Sequence, residues 1–127
     1  MALITAIFLI TVLAAIAAGI VTLTRTTEDS STKSLQSAKA FYGAKAGIEW
    51  AMQQAIPSNP PACPASPTTL NLTQQGLAGV SVVVTCIASV QGTPAATYTL
   101  TSVATIGVLG RPEYAERRME ARVSNTF

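Results

Sequence analysis

Six carboxylates, eight basic side chains, two cysteines and no histidine make up the charged and metal-binding groups of this 127-residue chain. Histidine is the commonest general base and metal ligand, so its absence removes most hydrolytic and metal mechanisms. The carboxylates do not compensate. Glu28 and Asp29 follow a long uncharged run, and Glu49 stands alone. Glu116 and Glu120 alternate with Arg118 and Arg122, a spacing that neutralises charge rather than setting apart the pKa values of an acid and a base. There is no phosphate-binding glycine loop, no Gly-x-Ser-x-Gly elbow and no Cys-x-x-Cys. Asn71-Leu72-Thr73 fits the N-glycosylation pattern, a short match that is frequent by chance. The formal charge of +2 rests on scattered basic residues and not on the clustered face that phosphate neutralisation requires. No catalytic residue, cofactor, metal site or nucleic-acid partner is expected, and the chain reads as a non-enzyme.

The elements that carry these residues follow from composition. Only 11% of the chain is charged, against roughly a quarter in an average soluble domain, so something other than water must cover part of it. The candidate is the run from Met1 to Thr24, which holds no ionisable side chain and exceeds the ~20 residues that cross a hydrocarbon layer. Its threonines are compatible with lipid, because a helical threonine hydroxyl bonds back to a carbonyl one turn earlier. No basic n-region precedes the run, which fits a leader removed in front of Met1 better than an initiator Met1. No proline appears before Pro57, and Leu35 to Ile56 is rich in good helix formers, with Gly43 and Gly47 as interruptions. One continuous helix to Ile56 would reach roughly 84 Å at 1.5 Å per residue. In its second half, Phe41, Ala44, Ile48, Ala51, Met52, Ala55 and Ile56 mark the stripe expected to lie on a sheet. Leu35, Tyr42, Ala46 and Trp50 fall elsewhere. Trp50 either packs inside its own domain or, with Tyr42, meets a neighbouring subunit.

Residues 57–69 form a proline-rich loop. Beyond it the period changes to two. Val80 to Val90, Thr97 to Ile106 and Tyr114 to Val123 read as antiparallel strands, with a short edge strand near Thr69 to Gln74. One face of the last strand is almost fully charged and the other mostly apolar. The fold class is therefore α+β: a long N-terminal helix, apolar over 1–24 and amphipathic over 25–56, laid on a three- to four-stranded antiparallel sheet within 70–127. One globular domain is expected over 25–127. Cys63 and Cys86 are placed to close a loop of about 24 residues, worth roughly 3 kcal/mol as a disulfide; the alternative is two reduced thiols. An exported domain would favour the bridge.

The segment from Met1 to Leu13 resembles the start of a mature type IV pilin, cut by prepilin peptidase behind a glycine. More narrowly, three blocks are similar to pilin-like proteins of mannose-sensitive haemagglutinin pilus systems: Ala38 to Ala51 with Ala46-Gly47-Ile48-Glu49-Trp50, Cys63-Pro64 with Leu77 to Cys86, and Glu113 to Ser124. The resemblance implies a pilin fold, processing and N-methylation at Met1, and a filament-core helix. That core would comprise Leu3, Ile4, Thr5, Ile7, Phe8, Ile10, Val12, Leu13, Ala14, Ala17, Ala18 and Gly19. It also implies other pilin subunits, the inner membrane, the assembly machinery and prepilin peptidase as partners. Before assembly the domain would face the periplasm; afterwards it would be part of an extracellular filament. Two departures matter. Thr5 stands where most major pilins carry a glutamate thought to meet a neighbour's terminal amine, which favours a minor, tip-proximal or assembly-priming subunit. Val21 and Thr22 stand where pilins carry a helix-breaking proline, so Gly19 is the residue left to loosen the helix. The rival readings are the major subunit of a homopolymeric pilus and a single-span periplasmic anchor that never polymerises.

Overall fold

The computed structural model describes residues 2–56, 62–90 and 96–124. Met1, the first five residues of the expected proline-rich loop and the 91–95 connection lie outside the described residues. One helix and four strands follow in chain order: α1 (Ala2–Ala55), β1 (Thr68–Leu72), β2 (Val80–Val90), β3 (Ala96–Ile106) and β4 (Ala115–Ser124). The chain divides into two compact units between Ser34 and Leu35, ten residues further on than the expected domain start at Arg25.

The first unit is helix alone. Its apolar side chains are uncovered, from 39% exposed at Val12 to 74% at Leu3. Threonine hydroxyls are satisfied within the helix: Thr11 donates to the Phe8 carbonyl at 2.8 Å, Thr22 to Gly19 at 2.8 Å and Thr24 to Ile20 at 3.0 Å. Polar groups bonded in this way need no water, so the helix is long and apolar enough to cross a membrane.

The second unit is the helix from Leu35 onward together with a sheet of order β1-β2-β3-β4, antiparallel throughout. Positive-φ glycines stand in two of the connections, Gly76 and Gly79 between β1 and β2 and Gly107 and Gly110 between β3 and β4. After β3 the backbone turns at Gly107 with φ of 80°, where a Cβ would lie 2.6 Å from the Glu113 carbonyl oxygen. The expected edge strand is β1, one residue earlier and two shorter at its end than its sequence suggests. Register places Val80, Val82, Val84 and Cys86 of β2 beside Ile106, Ala104, Ser102 and Leu100 of β3, all buried on the face that meets the helix. Full burial of Val80, Val82, Val84 and Leu100 contributes roughly 1.5–3 kcal/mol each.

The helix side of this contact departs from expectation. Ala40, Ala44, Ile48, Ala51 and Ala55 are buried, together with Gly43 and Gly47. Phe41 and Ile56, expected on the packed stripe, are 46% and 58% exposed, and Met52 packs only partly against the core. The reason is steric. A Cβ at Gly43 would lie 2.6 Å from Val80 Cγ1, and one at Gly47 would overlap Ser102 Oγ. The helix lies so close to the sheet that small residues hold the contact and large ones are displaced to its flanks. The two glycines are the closest points of contact, not interruptions.

Candidate functional site

Cys63 and Cys86 form a disulfide with Cα atoms 5.6 Å apart, tying the segment before β1 to the middle of β2. Nearby, the Cys86 amide donates to Ser66 Oγ at 3.1 Å, so the same segment is also held by a hydrogen bond. No cysteine is left free among the described residues, and no group of His, Cys, Asp and Glu there could hold a metal ion.

Within the second unit, three regions of the described surface adjoin the core. The flank of the helix carries Leu35 and Tyr42, both 59% exposed. With Ala38, Lys39, Gly76 and Leu77 they line a shallow, open apolar hollow. Phe41 and Tyr42 meet edge to face with ring centroids 5.6 Å apart. Trp50 packs partly against the core of its own unit, and Tyr42 is exposed.

The second region is the side of β4 that faces the helix. Met119, Ala121 and Val123 pack against the core from there. Arg117 shares that face and reaches out along it: its Nε and Nη2 donate to Ser37 Oγ of the helix at 3.2 and 2.5 Å. A long side chain of this kind covers apolar surface while its charged head stays wet.

The third region is the outer face of β4, with Glu116, Arg118, Glu120 and Arg122 exposed in a row. Arg122 Nε lies 3.3 Å from Glu120 Oε1, an exposed pair. Tyr114 donates to Glu116 Oε2 at 2.5 Å, and this hydrogen bond, ahead of desolvation and the carboxylate charge, raises the phenol above its ordinary value. Across the ladder these charges face Thr105, Val103, Thr101 and Thr99 of β3, which neither compete for them nor bury them.

In the first unit, the expected filament-core positions Leu3, Ile4, Ile7, Phe8, Ile10, Val12 and Leu13 form an exposed apolar surface on all sides of the helix. Ala14, Ala17, Ala18 and Gly19 are exposed as well, and nothing lies within 4 Å of where a Cβ would stand on Gly19. The helix continues unbroken through Gly19, Val21 and Thr22.

No protein-family model matches the chain, and no curated protein or solved structure matches it either.

Proposed function

We propose that the chain is a structural subunit of a type IV pilin-like filament. The observation that carries this reading is the two-part character of α1. Its uncharged N-terminal part is uncovered, while the part from Ala40 onward is committed to a sheet stapled by Cys63–Cys86. In this reading the apolar part sits in the inner membrane with the second unit in the periplasm, and on assembly it exchanges lipid for the same surface on neighbouring helices. Because lipid and helix are similarly apolar, the transfer exposes no greasy surface to water. Selectivity then comes from packing, and Ala14, Ala17, Ala18 and Gly19 permit close approach of a partner backbone.

A minor, tip-proximal or assembly-priming position fits Thr5. A hydroxyl offers no negative charge to an ammonium group in an apolar filament core, where an unpaired charge is costly. A subunit with no neighbour above it avoids that cost.

The test is to shear filaments from cells that express a tagged full-length chain and to measure its abundance relative to the other subunits. A few copies per filament support the minor role, and a chain repeating at every position makes it the major subunit. Filaments that lack the chain, with normal filaments in a deletion strain, leave it as an anchor and overturn the proposal.

A further inference from the structure

The connection from β3 to β4 begins Gly107-Val108-Leu109-Gly110-Arg111-Pro112. Turns usually carry polar residues at their tips. Here Val108 and Leu109 are 65% and 78% exposed, and Leu109 is the most exposed large hydrophobic residue of the second unit among the described residues. The turn has a defined backbone. Gly107 and Gly110 take φ of 80° and 88°, the Arg111 amide donates to the Val108 carbonyl at 3.0 Å, and the Tyr114 amide donates to the Arg111 carbonyl at 3.1 Å. Two aliphatic side chains are thus held outward, away from the core.

The position of this turn follows from the helix–sheet contact. Gly43 faces Val80 and Ala104, and Gly47 faces Val84 and Ser102, so the helix advances along β2 from Val80 toward Val84. Ile106, the register partner of Val80, therefore marks the end of the sheet at which the helix enters the unit. The turn leaves β3 at that end, where Leu35 is also exposed. It is the end nearest, along the chain, to the uncharged run. Residues 25–34 alone separate Thr24 from Leu35, a stretch that spans about 35 Å even when fully extended, so the turn stays close to whatever surface holds the run.

We propose that Val108 and Leu109 form a membrane-docking tip, which enters the interfacial layer of the same bilayer that holds residues 1–24, with Arg111 at its anionic headgroups. The two backbone bonds made within the turn lower the cost of leaving water. Glu113 stands opposite Gly107 at the base of the turn, on the water side. Two aliphatic side chains would hold a free protein to lipid only weakly, since even a single myristoyl chain binds marginally and reversibly. The tether makes up the difference by converting docking into an intramolecular step. The contact also remains reversible, so a subunit can withdraw from lipid. Each copy makes it alone, and all copies anchored in one membrane make it in the same direction. The inference rests on the part of the reading above that sets residues 1–24 in a membrane, and not on filament assembly.

The experiment reconstitutes the full-length chain into vesicles of phosphatidylethanolamine and phosphatidylglycerol that contain a phospholipid with a nitroxide high on its acyl chain. Three variants, Phe8→Cys, Pro112→Cys and Ser89→Cys, each carry a nitrobenzoxadiazole fluorophore on the new thiol, the Cys63–Cys86 bridge being left intact. Ser89 is exposed near the opposite end of the sheet. Phe8 and Pro112 are expected to be quenched at least about threefold more strongly than Ser89, as interfacial insertion of the tip requires. Adding V108S/L109S to Pro112→Cys should bring its quenching down to the Ser89 level, with folding verified by circular dichroism and the intact bridge. Quenching at Phe8 with Pro112 no different from Ser89 overturns the inference and leaves the membrane reading in place. Unchanged quenching at Pro112 in the folded V108S/L109S variant also overturns it. An unquenched Phe8 overturns the membrane reading and the inference with it.

Discussion

Gly47 and Ser102 meet across the helix–sheet contact so closely that a methyl group on Gly47 would overlap the Ser102 hydroxyl oxygen, while also lying 2.7 Å from Val82 Cγ1. Ser102 is fully buried, and its hydroxyl has no hydrogen-bond partner among the described residues. The position thus combines a helix backbone that tolerates no side chain with a polar atom that gains nothing from burial.

Gly47→Ala should therefore destabilise the second unit, although alanine is the better helix former. Overpacking costs about 1–3 kcal/mol, and the helix-propensity gain of roughly 1 kcal/mol offsets only part of it. Ser102→Ala alone should be at least as stable as the parent, because it removes an unsatisfied buried hydroxyl. In the double variant, Ser102→Ala should recover part of the Gly47→Ala loss, leaving the Val82 contact as the remainder. Denaturant unfolding of the four proteins measures each term, and additive effects would contradict the contact.

Reduction of Cys63–Cys86 should lower stability by about 3 kcal/mol, the loop-entropy value for a link across some 24 residues. Unfolding with and without reductant measures the loss, and intact mass should rise by about 2 Da on reduction. An unchanged midpoint would show that the proline-rich segment is held without the bridge.

The Tyr114 phenol should titrate above the ordinary tyrosine value of 10, because its neutral hydroxyl donates to the Glu116 carboxylate. The sign follows from a raised folded-state value. Whatever stability this bond contributes is present below pH 10 and is lost as pH rises through the higher folded value. Absorbance at about 295 nm follows the ionisation, and Glu116→Gln should bring the midpoint back down. No change in that variant would rule out the bond as the cause.

Alternation made the sheet legible in the sequence. Val80 to Val90 and Thr97 to Ile106 carry a two-residue period, broken only at Val83, Ile87, Ser102 and Val103, and β2 and β3 pair over those residues. The uncharged run also announced a membrane-length helix. The helix face against the sheet was harder to read, because hydrophobic patterning weights large side chains, and here the close approach excludes them. Phe41 and Ile56 are accordingly exposed while Gly43 and Gly47 are buried. The signal was present in the Gly43 to Gly47 spacing, which places two residues without side chains one turn apart. Arg117 was likewise hidden: its bond to Ser37 spans 80 residues of sequence, and no local pattern reports a contact that distant.

The central claim is that the uncovered apolar part of α1 passes from lipid to neighbouring helices. The most direct measurement places a photo-reactive residue at Phe8, Leu13 or Ile20 of the full-length chain and irradiates the cells that make it, before and after filament assembly. The account predicts adducts with lipid beforehand and with apolar helices of filament subunits afterwards. Adducts with lipid alone, in cells that carry abundant filaments, would contradict it.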